Sequence, residues 1–519
     1  MSEGEILKRA GHVGFFTLIS RITGLLRDMA IAYAFGARAV ADAFFVAFRI
    51  PNLLRRLFAE GALTISFVPV FTETYRRDPE EAKKLANVSW SLLAVVLAGI
   101  SFLGILLSPW IVRLIAWGFT SDPEKFRLTV FLTRIIFPYI FLVSLAAWAM
   151  GVLNSLKHFA APASSSIFMN LGIIVGALGL SYFTNPPVLG LALGVLLGGI
   201  WQLWIHFPFL KKFGFFPKVQ WDPSHPGVKK ILGMMLPAAF GAAVYQFNVI
   251  VITQLASFLP AGAVSYLWYA DRIMEFPLGI WGIAMATVLL PSLSDHAAER
   301  DYEKLKETLR YGLRMVLFLS IPAAGGLMVL AEPIVRLLFE HGTFSADSTV
   351  QTAHALIFFA IGLPFISGVR ITSNAFYSVQ DSKSPVKTAA VSMGFNLLLA
   401  LLFMGRMGHN GLALAISLSS FVNLLLQLWV FRRKMGRLGL KAIGWGVLKT
   451  SLSTLVMMVF LKFLQGTFFY DVVGGWREAV WLVLLISAGL LSFLGMEFIL
   501  RGREVQEFFL VLQKRGGKR

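Results

Sequence analysis

GFFTLISRITGLLRDMAIAYAF, residues 14–35, is an apolar run long enough to cross a bilayer, yet it carries Arg21, Arg27 and Asp28 in its middle. A membrane helix needs about 20 mostly apolar residues, and runs of that length recur along the chain. The composition agrees: 57% of the 519 residues are hydrophobic, 14% are charged and the mean hydropathy is +0.71. Ordinary soluble domains are about 45–50% apolar and about 25% charged. A barrel would show short alternating strands, whereas these runs are continuous, so the reading is helical. The expectation is an all-α polytopic membrane protein with about fourteen transmembrane helices. The first is placed at 12–35, the second at 40–70 with a bend at Pro51, the seventh at 231–258, and the last two at 444–465 and 478–500.

Orientation follows from the basic residues. Loops after even-numbered helices hold YRRDPEEAKK, Lys157, Lys211 with Lys212, Lys218, Lys229 with Lys230, and ERDYEKLKETLR. Lys383 with Lys387, FRRKMGRLGLK and the tail QKRGGKR fall on the same side, while FTNPPV and SFLPAGA opposite have no basic residue. The excess of Lys and Arg marks the cytoplasmic face, so both termini are expected there. The net charge of +19 is thereby explained without nucleic acid, for which no stacking and basic module exists. The start, MSEGEILKRAGHVGFF, runs into a long helix with no small-residue cleavage site, so no cleaved signal peptide is expected.

Several chemistries are excluded. With no cysteine there is no disulfide, thiol nucleophile or thiolate metal site. The eight histidines form no ligand pair at helical spacing, so no metal is expected. No phosphate-binding loop, dinucleotide fingerprint, nucleophile elbow or zinc-protease motif is present. Nothing here hydrolyses ATP. No cofactor is expected, and energy must come from a cation, the membrane potential or the substrate gradient.

The chain resembles itself at an offset of about 223 residues: ARAVADAFFVAFRIP, from Ala37, aligns with PAGAVSYLWYADRIMEFP, from Pro260. The offset divides the spans into six plus six with two left over. Equal orientation implies an axis along the membrane normal, an arrangement common in secondary transporters with the site between the halves. The expected organisation is a six-helix lobe at 1–210, a cytoplasmic linker at 211–230 and a second lobe at 231–435. An additional helix pair at 436–500 and a basic tail at 501–519 follow.

The buried charges carry the function. Ser20 and Arg27 are seven residues apart, as are Arg21 and Asp28, so each pair shares a stripe on the first helix. On the second span Asp42 lies near the outer end. Asn52, Arg56 and Glu60 recur every four residues, with Arg55 alongside. Asp271, Arg272 and Glu275 fall within one turn of the eighth span. A charge at the bilayer centre costs from ~2.5 to ~17 kcal/mol depending on the measure, so these groups must line an aqueous cavity or pair. Arg56–Glu60 and Arg272–Glu275 have ion-pair spacing, and Glu60, Asp271 and Glu275 fit scaffold and site equally well. The arginines outnumber acids at depth, however, and guanidinium groups hold phosphate in a bidentate fork. Arg21, Arg27, Arg55 and Arg272 therefore point to an anionic ligand, phosphate or pyrophosphate. Arg370 is a secondary candidate, and Asn396 fits an interhelical hydrogen bond.

SRITGLLRD, ADAFFVAFRIPNLLRRLFAEGA, FVPVF, YADRIMEFP with LLPSLS, and FYSVQDSKSPVK together resemble the MurJ (MviN) family of lipid II flippases. That family belongs to the superfamily of multidrug, oligosaccharidyl-lipid and polysaccharide exporters. The resemblance implies a V-shaped pair of six-helix lobes, a central cationic cavity and alternating access. The implied cargo is an undecaprenyl-pyrophosphate-linked peptidoglycan precursor, moved to the outer face of the bacterial inner membrane without covalent chemistry. It places Arg21, Arg27, Arg55 and Arg272 around the pyrophosphate and gives Asp42 and Glu60 functional weight. The last helix pair becomes a groove for the lipid tail, and the partners become lipid II, membrane lipids and the cell-wall synthesis machinery. One departure stands out. The sodium-site carboxylates of some members are absent, the seventh span offering Gln246, Asn248 and Thr253 and the eleventh Asn396. The alternatives are a flippase for another polyprenyl-pyrophosphate glycan, and a multidrug cation antiporter, which would require an acidic pocket.

Overall fold

The computed structural model describes residues 3–55, 63–468, 475–502 and 504–505, and it contains no strand among them. By packing, the chain forms two units. The first comprises Met1–Ser265 with His341–Phe344, the second Tyr266–Glu340 with Ser345–Arg519.

The first unit holds α1 (Glu3–Phe35), α2 (Ala39–Leu54), α3 (Thr64–Arg77), α4 (Pro79–Ile115) and α5 (Pro123–Ile136). It continues through α6 (Tyr139–Ser155), α7 (Ala160–Leu178), α8 (Val188–Trp204), the short α9 (Phe207–Lys212) and α10 (Pro226–Ser257). Two starts share one device. Asp78 and Asp122 cap α4 and α5, each accepting two backbone N–H groups at 2.9–3.3 Å, with Pro79 and Pro123 at the first helical position. Helices α7 and α8 meet along glycines. A Cβ on Gly194 would lie 2.6 Å from Gly176 Cα, and one on Gly172 2.3 Å from Gly198 Cα. Small residues four apart let two helices approach backbone to backbone, which replaces the hydrophobic drive that lipid removes. Phe67, Phe71, Trp148 and Phe215 fill a core among α3, α4, α6 and the segment after α9.

The second unit holds α11 (Ala263–Pro277, its body beyond Ser265), α12 (Ala284–Ala298), α13 (Tyr302–Val329) and the short α14 (Ala331–Phe339). Then come α15 (Ala346–Ser378), α16 (Lys383–Met407), α17 (His409–Met435), α18 (Leu440–Phe468) and α19 (Trp476–Ile499). Leu293, Leu313, Ile371 and Phe431 belong to one core, and Phe318, Leu461, Leu482 and Phe493 to a second that joins α18 and α19 to α13.

Eleven helical runs among the described residues are long and apolar enough to cross a membrane. The other three expected spans fall on α1, on α2 with α3, and on α10. Helix α1 carries three charges in its middle, and residues 56–62 lie outside the described residues. The repeat begins a second lobe at 231, but by packing α10 belongs to the first unit: Val228 and Ile231 enter its core, and Lys230 pairs with Glu73 of α3 at 2.7 Å. Pro51 does not end α2, which stays helical through Leu54 and widens into a π turn at Arg55. Helix α11 is likewise followed by a π segment, Leu278–Ile283, after Pro277. Such widened turns free backbone groups and recur at functional sites.

FYSVQDSKSPVK runs from the end of α15 into α16. Asp381 accepts Ser384 N (3.0 Å), Ser384 Oγ (2.7 Å) and Lys434 Nζ (2.5 Å), which ties α16 to the end of α17. Burial works to raise its carboxyl, but Lys434 and Ser384 outweigh it and hold the group at about 2, down from an ordinary 3.8. A depressed carboxyl contributes stability above its unfolded value, lost as pH falls through the folded one. Wild-type protein should therefore lose roughly 2 kcal/mol on this account between about pH 4 and pH 2. In melts across that range Asp381→Asn should start lower and show a flatter acid dependence; parallel curves would exclude the linkage.

Candidate functional site

The site residues of the first unit sit on α1, α2, α7 and α10. Arg27 donates to its neighbour Asp28 from Nε (3.0 Å) and Nη2 (2.8 and 2.9 Å), and from Nη1 to Asn170 Oδ1 on α7 (3.2 Å). Its side chain is 13% exposed and that of Asp28 2%. Asn170 is saturated, since its amide also donates to Ser20 O and Thr23 Oγ1, both at 3.1 Å. It fixes the roll of α7 against α1 and aims the Arg27 guanidinium. Ser20 thus enters the network through its carbonyl. Arg21, half-buried one turn before Gly24, makes no hydrogen bond or ion pair among the described residues.

On α2, Asn52 Oδ1 accepts from Arg55 Nε (2.9 Å) and Nη2 (2.7 Å), so a neutral amide helps to orient that guanidinium. Arg49 lies two turns earlier and reaches α10, donating to Thr253 Oγ1, which itself donates to Val249 O at 2.6 Å. One polar group of the seventh span is thus engaged by a fixed cation. Arg56 and Glu60 lie outside the described residues.

Asp42 sits apart from these, in the first turn of α2 and 1% exposed. It accepts Lys125 Nζ (2.8 Å), Gly262 N (2.7 Å), Ser265 N (2.9 Å) and Ser265 Oγ (2.6 Å). Lys125 is also buried and lies 4.0 Å from the Phe119 ring centroid. Four donors satisfy this carboxylate, making it a knot that holds α2, α5 and the turn after α10.

In the second unit Arg272 donates to Glu275 Oε2 at 2.6 Å, and its guanidinium lies 4.7 Å from the centroid of Trp268. Glu275 is 42% exposed and Arg272 22%. Asp271 is half-buried beside it, nearly two turns before the π segment. Arg370 is exposed in the second half of α15 and makes no ion pair or hydrogen bond among the described residues; Asn396 is buried in α16. No cluster of three His, Asp or Glu side chains suited to a metal occurs among the described residues.

Two residues of this network were missed in the sequence. Asn170 is a lone amide in an apolar helix, and nothing local marks its partner 143 residues away. Arg49 was legible, as a further charge at depth in the very stretch that carries the repeat. Along residues 20–55 the half-buried Arg21, Arg27, Arg49 and Arg55 share the stretch with two acids, Asp28, which pairs with Arg27, and Asp42, which pairs with Lys125. Guanidinium groups are the side chains suited to hold phosphate-like anions in a bidentate fork.

Residues 31–475 match the family model described as lipid II flippase MurJ. The chain is 42% identical over 429 residues to "Lipid II flippase MurJ" of Burkholderia cenocepacia, covering 82% of this chain and 83% of that protein. It is 40% identical over 430 residues to "Probable lipid II flippase MurJ" of Vibrio cholerae, covering 81% and 82%. Among solved structures, "Lipid II flippase MurJ, inward closed conformation" aligns at 27% identity with a TM-score of 0.79 over 94% of this chain and 98% of that one. An inward-facing multidrug transporter of the MATE family shares the fold at 16% identity, with a TM-score of 0.69 over 81% and 95%.

Proposed function

The chain belongs to the MurJ family of lipid II flippases, and from that membership we propose that its arginines bind the pyrophosphate of the lipid-linked precursor during transfer. Arg21, Arg27 and Arg55 of the first unit and Arg272 of the second are the binding groups. Arg49 and Arg370 add charge, and Asn170, Asn52 and Glu275 hold guanidinium groups in position. No bond in the cargo is made or broken. The precursor loads at the cytoplasmic face of the bacterial inner membrane and leaves at the outer face by alternating access, while the tail stays in lipid along α18 and α19. Both termini lie in the cytoplasm, as the loop charges argue. The cell-wall synthesis machinery is the natural recipient.

The observation that carries this reading is Arg21, a half-buried arginine in an apolar helix that makes no ion pair or hydrogen bond among the described residues. A cation-selective exporter would need the reverse sign, and a purely structural network would need an acid for each arginine. Arg21→Ala removes a charge without orphaning a neighbour. It should weaken retention of lipid II by purified protein about tenfold, the effect of one charge-assisted contact, and leave the melting temperature unchanged. Native mass spectrometry reads this directly, with undecaprenyl pyrophosphate and a different polyprenyl-pyrophosphate glycan as competitors. Unchanged retention would exclude Arg21 from the site. Equal retention of all three lipids would favour the general polyprenyl-pyrophosphate reading.

A further inference from the structure

The segment that leads from α9 into α10 is not a slack connection. Residues 215–222 run extended along the first turns of α4. Lys218 N donates to Asn87 Oδ1 at 3.0 Å and Gln220 N to Ser91 Oγ at 2.9 Å. Phe215 is buried against Phe71 and Tyr75, with ring centroids 5.3 and 5.7 Å away. Beyond it, Asp222 lies 3.6 Å from Lys84, and His225 Nε2 3.0 Å from Glu81.

Helix α4 is itself a depth gauge. Its 37 residues extend about 55 Å at 1.5 Å per residue, far more than the roughly 30 Å of hydrocarbon. Its first turns carry Glu80, Glu81, Lys83 and Lys84, whereas large exposed apolar side chains begin at Val95 and continue through Val96, Phe102, Leu106 and Trp110. The water-to-lipid boundary therefore crosses α4 near Ser91, where the extended segment is bound. Val219 and Trp221, two residues apart, share one face of this extended stretch. Val219 is 92% exposed and Trp221 62%, with Phe216 exposed beside them. Lys211, Lys212 and Lys218 are exposed on the same stretch and make no ion pair among the described residues.

Apolar and aromatic side chains at interfacial depth, interleaved with unpaired lysines, are the chemistry that a charged lipid surface recognises. We propose that residues 211–222 form a rigid interfacial anchor. It seats Phe216, Val219 and Trp221 at the boundary between headgroups and acyl chains, and binds anionic phospholipid headgroups through Lys211, Lys212 and Lys218. Its assignment to the cytoplasmic leaflet rests on the orientation proposed above; its lipid contact does not. The pinning to α4 makes the anchor selective by position, since the lysines are held at headgroup height by two backbone hydrogen bonds.

The absence of cysteine allows a direct test on the full chain. Val219→Cys carries a nitroxide in nanodiscs of three parts phosphatidylcholine to one part phosphatidylglycerol, with Glu303→Cys, on an exposed residue, as the aqueous reference. The Val219 label should be more accessible to oxygen than to a water-soluble nickel complex, by at least threefold relative to the reference. Equal accessibility profiles would place the segment in water and overturn the anchor. Separately, the triple variant Lys211→Gln, Lys212→Gln, Lys218→Gln should retain phosphatidylglycerol about tenfold less than wild type from an equimolar mixture with phosphatidylcholine, with an unchanged melting temperature. An unchanged preference would overturn the headgroup assignment. Displacement of phosphatidylglycerol by lipid II at stoichiometric amounts would assign the lysines to the cargo instead, which also overturns it. Neither readout depends on transport, so failure of the arginine site leaves both interpretable.

Discussion

Arg272→Ala should leave the protein folded and reduce lipid II transport in proteoliposomes by at least about a hundredfold. A bidentate guanidinium–phosphate contact contributes roughly 3 kcal/mol where water is excluded, which corresponds to that factor. The structural cost is small because its partner, Glu275, is 42% exposed and can be solvated when the arginine is gone. Arg272→Lys should recover only part of the rate, since an ammonium cannot reproduce the planar fork or the stacking on Trp268. The matching test on α1 behaves differently. Arg27→Ala strips the bidentate partner from Asp28, a carboxylate that is almost fully buried, and breaking a buried ion pair by removing one member costs about 3–5 kcal/mol. That single variant should lose transport and stability together. Arg27→Ala with Asp28→Ala should regain most of the melting temperature and stay inactive. If Arg272→Ala transports within threefold of wild type, the pyrophosphate is held elsewhere. If the double variant on α1 transports normally, the Arg27–Asp28 pair is scaffold alone.

This asymmetry could not be read from the sequence. Residues i and i+1 do not face each other on a helix, so spacing pairs Arg21 with Asp28. In the structure the long Arg27 side chain instead wraps onto its own neighbour, because Asn170 on α7 draws the guanidinium toward the packed face. The apolar spans were legible because lipid demands uninterrupted hydrophobic length, and eleven of them appear where expected among the described residues. The glycines of NLGIIVGALG and LGLALGVLLGG were visible, but which helix they met was not. The π turns at Arg55 and after Pro277 left no signature beyond the prolines. Long-range partners are decided by packing, and local periodicity carries no information on them.

Loss of the Asp42 charge should cost as much stability as loss of Arg27. Removing its charge with Asp42→Asn keeps an acceptor for Gly262 N or Ser265 N but strands Lys125, which is 7% exposed, at an expected cost of about 3–5 kcal/mol. Lys125→Met should cost less, because the three remaining donors from Gly262 and Ser265 still satisfy the carboxylate. The double variant should be more stable than Asp42→Asn alone by roughly 2 kcal/mol, a positive coupling between groups in direct contact. Chemical denaturation in detergent of the four proteins measures the cycle, and additive losses would show that the pair is not the element that matters. Transport then separates scaffold from gate. If the double variant regains both melting temperature and transport, Asp42 acts only by holding α2 to α5. If it melts like wild type and remains inactive, the charges and hydrogen bonds of this knot are themselves part of the working cycle, because stability no longer separates the two proteins.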